Sequence, residues 1–156
     1  MKAKILFICL LLVSSIVSAP PEKNTVFNIP LEKICLDRTG LNDSNVIYWL
    51  NYYQVQYPEI VLKQIKLETG NYTSRICLIS HNLTGMKFAW VRPSVAFAEQ
   101  FNHAAYENWQ LSILDYRLWQ LYNSCKLERC KDYYLFLKHA NYATGKEYTK
   151  HVKSIY

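Results

Sequence analysis

The chain has 156 residues, of which 51% are hydrophobic, and this is the size of one globular domain with a buried core. Its formal net charge of +6 is spread along the chain without a dense basic tract, which argues against a nucleic-acid-binding protein. The chain is also rich in aromatic residues, with 13 tyrosines and 4 tryptophans. Aromatic rings with polar tips suit sugar rings as well as a core.

The N-terminus has the layout of a secretory signal peptide. Lys2 and Lys4 precede an apolar run over residues 5–17, and the small residues Ser18 and Ala19 follow it. We therefore expect residues 1–19 to be a signal peptide, residues 20–40 an N-terminal arm and residues 41–156 the folded domain. The apolar run falls short of the ~20 residues that span a bilayer. We expect an exported protein, in the periplasm, cell envelope or medium, without stable membrane insertion.

The cysteines fit an exported protein. If Cys9 leaves with the signal peptide, Cys35, Cys77, Cys125 and Cys130 remain, and this even set allows three disulfide connectivities. In one of them Cys125 pairs with Cys130 across a turn and Cys35 ties the arm to Cys77. The four lack a Cys-x-x-Cys pair, and the histidines show no ligand spacing, so we expect no metal and no other cofactor.

Hydrophobic periodicity and capping residues predict a mainly helical fold. Helices are predicted over about residues 42–54, 58–70, 75–79, 107–123, 132–139 and 146–154. Residues 86–106 lack helical periodicity, contain a proline and alternate over 87–91 and 95–101, which predicts an irregular β hairpin or lobe. In the helix over 107–123, one inward stripe is predicted to carry Leu111, Leu114, Leu118, Leu121 and Tyr122.

The helix over 58–70 places a carboxylate in an unusual position. Pro58 suits its first turn and Gly70 its exit. Between them, Glu68 ends a largely apolar face that it shares with Gln64 and Ile65. The negative end of the helix dipole and partial desolvation both disfavour the charged form, so we expect a raised pKa for Glu68. A carboxylic acid of that kind suits general-acid cleavage of a glycosidic bond.

Four segments in a fixed order carry a family resemblance. They are PEIVLKQIKLETGNYTS at 58–74, NLTGMK at 82–87, YENWQLSILDY at 106–116 and the dipeptide YA at 142–143. Together they resemble the bacterial glucosaminidase domain of the flagellar-muramidase type, a group of peptidoglycan-cleaving glycoside hydrolases. The resemblance covers about residues 41–152. It implies a lysozyme-like fold that is mainly α with a small β lobe.

The resemblance also implies an activity and site residues. The expected reaction is hydrolysis of the β-1,4 bond after N-acetylglucosamine in peptidoglycan glycan strands, with Glu68 as proton donor. Tyr142, which matches the family's late Tyr-Ala, would lie across the cleft and contact the N-acetyl group or stabilise developing positive charge. The residues Asn82, Gly85 and Lys87 would shape the cleft floor and bind substrate.

Other positions are less typical of the family. Thr84 stands where the family usually has phenylalanine, which removes an aromatic wall. Glu99 is the only acidic residue in 69–106 and is the candidate for a second catalytic carboxylate, with a solvated lobe residue as the alternative. If Glu99 is idle, the substrate's own acetamido group or a water activated elsewhere would complete the reaction. Tyr106 and Trp109 are candidates for stacking on sugar rings.

Two other functions compete with this interpretation. A muramidase or lytic transglycosylase could use the same acid on a different glycosidic bond. A non-catalytic wall-binding protein could keep the cleft and lack a catalytic group. For Asp115 we expect a buried hydrogen-bonding role rather than catalysis. We expect a monomer that binds peptidoglycan and no nucleic acid.

Overall fold

The computed structural model describes residues 40–156; the predicted signal peptide, nearly all of the arm and Cys35 lie outside them. The described part is mainly α with a small β lobe, which confirms the predicted fold class. Its elements are α1 (Asp43–Tyr52), α2 (Pro58–Thr69), α3 (Arg75–Ser80), β1 (Ala98–Gln100), β2 (His103–Ala105), α4 (Trp109–Tyr122), α5 (Ser124–Arg129), α6 (Tyr133–His139) and α7 (Tyr148–Ser154). None of the described helices is long and apolar enough to cross a membrane.

Local sequence signals explain most helix ends. Four helices begin at residues whose side-chain oxygen accepts a backbone N–H of the first turn: Asn42, Ser74, Asn108 and Asp132. Helix α2 begins at Pro58 and ends at Gly70, whose φ of 55° is left-handed, as predicted. Glu68 therefore lies in the last turn of α2, and α2 packs against α1 and α7.

The inward stripe predicted for α4 is wrong at its C-terminal end, although Leu114 is buried and Leu111 packs against the core. Leu121 and Tyr122 are 39% and 58% exposed. The buried face of α4 is partly polar, and it includes Ser112, Ile113, Asp115, Tyr116, Trp119 and Gln120. These polar groups can be buried because they find hydrogen-bond partners on other elements. The spacing of apolar residues in the sequence cannot reveal such partners.

The β lobe is a tight hairpin. Strands β1 and β2 are antiparallel, with Gln100 opposite His103, and the two residues between them, Phe101 and Asn102, are both left-handed, as in a type I′ turn. The predicted irregular hairpin or lobe has its paired strands only over residues 98–105, and the segment 87–91 forms no strand in the described structure. Buried Asn82 joins the hairpin to the preceding loop.

The turn expected between residues 124 and 131 is a short helix, α5. Cys125 lies within it and Cys130 follows it, which puts their Cα atoms roughly 8 Å apart, beyond the ~7 Å that a disulfide allows. Both thiols are free, so the connectivity that pairs these two cysteines, one of the three left open by the sequence, is not present. Cys77 is also free and buried.

Candidate active site

A cleft of about 740 Å³ lies between the β-lobe loop and the C-terminal segments. One wall is residues 85–92, and the other is the loop 141–145 together with Tyr148 at the start of α7. Glu68 reaches this cleft from the end of α2, and Trp119 of α4 also lines it. The predicted acid thus lies where three parts of the chain meet.

The two carboxylate oxygens of Glu68 have different surroundings. Oε1 accepts a hydrogen bond of 2.8 Å from the hydroxyl of Tyr148. Oε2 lies under Gly85, so close that a Cβ at that position would be 2.6 Å from it. Gly85 also has a left-handed φ of 65°, which favours glycine independently. Glycine therefore leaves the room that the carboxyl group occupies.

Burial dominates the electrostatics of Glu68. Desolvation raises the pKa of Glu68 above its ordinary value, while the hydrogen bond from Tyr148 and the charge of His103 act to lower it. The net direction is upward, as the sequence predicts. Burial and the nearby Glu68 carboxylate raise the pKa of Tyr148, so its hydroxyl keeps its proton and remains a donor.

Tyr142 lines the cleft beside Tyr148, with ring centroids 5.6 Å apart. Its hydroxyl donates to the backbone carbonyl of Thr84, and its ring meets those of Tyr116 and Trp119 edge-on. Thr84 itself is buried, and its Oγ1 has no hydrogen-bond partner among the described residues. Tyr142 therefore ties the C-terminal wall to the loop that carries Gly85.

Comparison with known proteins places this arrangement in a family. The sequence model of the family described as mannosyl-glycoprotein endo-beta-N-acetylglucosaminidase matches residues 47–156. The chain belongs to the glucosaminidase family. A helical body with a small β lobe is the arrangement expected of this lysozyme-like family of glycoside hydrolases.

A solved structure similar to this glucosaminidase is the catalytic domain of the autolysin Auto from Listeria monocytogenes. The two share 19% sequence identity, and the match covers 83% of this chain and 93% of that one, with a TM-score of 0.47. No curated protein matches the chain.

The predicted floor residues of the glucosaminidase have different placements. Gly85 and Lys87 line the cleft, and Nζ of Lys87 donates to the carbonyl of Asn102 at 2.6 Å. Asn82 is buried behind the loop: its Nδ2 donates to the carbonyls of Met86 and Ala104 at 2.9 and 2.7 Å. Asn82 therefore shapes the floor from behind, without lining the cleft.

The remaining predicted site residues lie away from the cleft lining. Tyr106 is 1% exposed and donates to Asp115 at 2.9 Å; a buried ring has no face for a sugar, so its predicted stacking role is wrong. Trp109 is half-buried at the start of α4 and packs against the core. Glu99 is an exposed residue of β1, and its catalytic role stays a prediction. Asp115 is fully buried and paired with Arg92 at 2.7 Å, which confirms its hydrogen-bonding role.

Sequence reasoning missed several residues of the cleft, and two of them bear directly on its chemistry. Trp90 is 82% exposed, lines the cleft and packs edge-on against Phe88 at 4.9 Å. The alternation of aromatic residues around Ala89 could have indicated it. The other is Tyr148, and no local signal in the sequence could have linked it to Glu68, 80 positions earlier.

Metal ligands do not cluster in the part of the chain that the structure describes. Its histidine, cysteine, aspartate and glutamate side chains form no group of three that could hold a metal ion. The cleft lining itself offers a desolvated carboxyl group, tyrosine hydroxyls, aromatic faces and the side chains of Lys87 and Arg92.

Proposed function

We propose that this glucosaminidase is a peptidoglycan hydrolase that cleaves the β-1,4 bond after N-acetylglucosamine, with Glu68 as general acid. The observation that carries the proposal is the carboxyl group of Glu68: it is desolvated, has a raised pKa, accepts from Tyr148 at Oε1, and belongs to a residue that lines the cleft. A raised pKa favours the protonated form, and a protonated carboxyl group can deliver its proton to a glycosidic oxygen.

In the proposed reaction the proton of Glu68 passes to the glycosidic oxygen as the bond from that oxygen to C1 breaks. The sugar then carries positive charge at C1 and its ring oxygen. Glu68 becomes a carboxylate, and the hydrogen bond from Tyr148 stabilises it in that form. Tyr142, held by the carbonyl of Thr84, presents its ring to the N-acetyl group, and Trp90 offers an exposed face for a neighbouring sugar.

The reaction needs a second group, and Glu99 is the carboxylate that the sequence singles out. The alternative is the substrate's own acetamido oxygen, which would attack C1 and later yield to water. Glu99→Gln separates the two. A loss of activity comparable to that of Glu68→Gln assigns Glu99 to catalysis, and retained activity favours the acetamido group.

The test of the acid uses two glutamates of the same helix. Glu68→Gln should lower the rate of peptidoglycan lysis, measured by turbidity and zymogram, by about 10²- to 10⁴-fold. Glu59→Gln is the matched control, because Glu59 is exposed in the first turn of α2. This variant should lyse peptidoglycan at the rate of the native protein. Equal lysis by all three proteins would refute the assignment.

Mass spectrometry of the released fragments tests the bond that is cleaved. Reducing-end N-acetylglucosamine is expected. Reducing-end N-acetylmuramic acid would instead show a muramidase, and anhydro-muramic ends would show a lytic transglycosylase. Binding to peptidoglycan without lysis by the native protein would show a non-catalytic wall-binding protein.

A further inference from the structure

Buried polar side chains form a continuous hydrogen-bonded series from Glu68 through the helical body. Four of its members, Gln64, Tyr116, Tyr133 and Gln120, are at most 1% exposed. The bonds measure 2.8 Å for Glu68 to Tyr148, 3.1 Å for Tyr148 to Gln64, 2.7 Å for Gln64 to Tyr116, 2.7 Å for Tyr116 to Tyr133 and 2.7 Å for Tyr133 to Gln120. We call this series the polar chain.

The far end of the polar chain is fixed by backbone. Oε1 of Gln120 accepts from the N–H of Gln56 at 2.8 Å, and its Nε2 donates to the carbonyl of the same residue at 3.0 Å. A backbone N–H can only donate and a carbonyl can only accept, so the amide of Gln120 has one orientation. Its Nε2 must therefore donate to the hydroxyl oxygen of Tyr133.

This orientation determines each bond that follows. Because Tyr133 accepts from Gln120, its own proton goes to Tyr116, and the proton of Tyr116 goes to Oε1 of Gln64. The Nε2 of Gln64 is left facing Tyr148 and donates to it. Tyr148 then has its single proton for Oε1 of Glu68. Every donor in the polar chain points toward the carboxyl group.

We propose that the polar chain places the acidic proton of Glu68 on Oε2, the oxygen under Gly85 at the cleft, and that Tyr148 is the positioning residue that transmits this order. The inference rests on the proposed role of Glu68 as the acid. Oε1 faces a hydroxyl that donates, so a proton on Oε1 would meet another proton. The acid form therefore carries its hydrogen on the oxygen beside Gly85, a residue of the cleft wall.

Other charged or titratable groups also face Glu68. Tyr142 lies beside it on the C-terminal wall, and His103 of β2 acts on it through its charge. Lys87 and Arg92 line the same cleft, but Lys87 donates to a lobe carbonyl and Arg92 is paired with Asp115. None of these groups donates to an oxygen of Glu68 in any hydrogen bond of the described structure, and of the cationic ones His103 is the one whose charge acts on its pKa.

Removing the last donor has two opposite effects that together are diagnostic. In Tyr148→Phe the Glu68 carboxylate loses a hydrogen bond, so its pKa should rise further. The carboxylate that forms in the transition state loses the same bond, so the plateau value of kcat should fall by about tenfold. A simple packing defect would lower kcat without moving the pKa.

Substitutions further along the polar chain test its direction. In Tyr116→Phe, Oε1 of Gln64 loses its donor, so the amide of Gln64 can reverse and accept the proton of Tyr148. Glu68 then loses its hydrogen bond, and its pKa should rise although two residues of the polar chain lie between it and the substitution. Gln64→Glu has the same shape and replaces the donating amide with an acceptor, with the same expected effect. Tyr53→Phe is the matched control: Tyr53 is a fully buried tyrosine whose hydroxyl has no partner among the described residues.

The measurement is the pH titration of the Glu68 side-chain carboxyl carbon by ¹³C NMR, with the resonance assigned by its loss in Glu68→Gln. Thermal unfolding of each variant shows whether it is folded. If Tyr116→Phe does not fold, Gln64→Glu takes its place as the distal test variant. An upward pKa shift in Tyr148→Phe and in Tyr116→Phe or Gln64→Glu, with none in Tyr53→Phe, supports the proposal. No shift in Tyr148→Phe, or a shift in that variant alone, overturns it.

This titration is independent of catalysis. If the proposed function were wrong, Glu68→Gln would lyse peptidoglycan like the native protein while the pKa shifts could still be observed. If only the polar chain were wrong, Glu68→Gln would be inactive and the distal variants would titrate like the native protein. The two failures are therefore distinguishable.

Discussion

Adding one methyl group at Gly85 should strongly lower the rate of peptidoglycan lysis while leaving the protein folded. In Gly85→Ala the new Cβ would lie 2.6 Å from Oε2 and 3.0 Å from Cδ of Glu68. Cβ contacts below 3.0 Å are essentially never seen, so the carboxyl group must withdraw by at least about 0.4 Å. Because the clashing atoms are the end of a flexible side chain, the carboxyl can rotate away at little cost to stability. It then no longer lies where the glycosidic oxygen would meet it.

The two effects of Gly85→Ala have different sizes. Its left-handed backbone should cost about 1–2 kcal/mol of unfolding free energy once a Cβ is present, which most domains survive. Displacing a catalytic group by a fraction of an ångström should lower kcat by about 10- to 100-fold. Urea unfolding and the rate of peptidoglycan lysis measure these effects separately.

Two other glycines serve as controls. Gly70 is also left-handed, but a Cβ there would meet only Oγ1 of Thr73, at 3.5 Å. Gly70→Ala should therefore lose about the same 1–2 kcal/mol and keep most of its activity. Gly145 lines the same cleft, and a Cβ there meets nothing within 4 Å, so Gly145→Ala should be active and stable. Lysis by Gly85→Ala at the rate of Gly145→Ala would refute the placement of Oε2.

Three further outcomes are expected. Trp90→Ala should raise KM for glycan strands about three- to tenfold and, because Trp90 is 82% exposed, change the urea midpoint little. Asp115→Asn should lower the unfolding free energy by about 3–5 kcal/mol, since the side chain of Arg92, which is 6% exposed, loses its counter-charge. The double variant Arg92→Met/Asp115→Asn should recover part of this loss, as measured by urea unfolding. The raised pKa of Glu68 means that the folded state binds this proton more tightly than the unfolded chain, so ionisation lowers stability. Urea unfolding at several pH values should therefore show Glu68→Gln gaining on the native protein as pH rises above about 4.5, and an unchanging difference would contradict the raised pKa.

Local signals in the sequence were sufficient to predict α2 and its acid. Pro58, Gly70 and the apolar spacing between them determine where this helix begins and ends and which side of it is buried. The raised pKa of Glu68 follows from those facts, because burial is its largest cause. The caps at Asn42 and Ser74 were likewise predictable from residue type.

The parts that could not be predicted depend on contacts between distant residues. The polar face of α4 is buried because Tyr116 and Gln120 find partners on α2, α6 and the backbone of Gln56, whereas an amphipathic pattern counts such residues as surface. Tyr106 was misassigned for the same reason, since its partner Asp115 lies on another element. An aromatic or amide side chain changes from surface to core when its polar atom gains a partner.

The pKa of Glu68, the proposed acid, depends on two elements with opposite effects. Burial of the end of helix α2 raises the pKa of Glu68. Helix α7 lies near the C-terminal end of the sequence but packs against α2, and it supplies the hydroxyl of Tyr148 that acts to lower this pKa. A chain that kept Glu68, Gly85 and Tyr142 but lost α7 would retain every motif of the family resemblance and still lack the donor. Which oxygen of Glu68 carries the acidic proton therefore depends on how α7 packs on α2, and the motifs alone do not encode it.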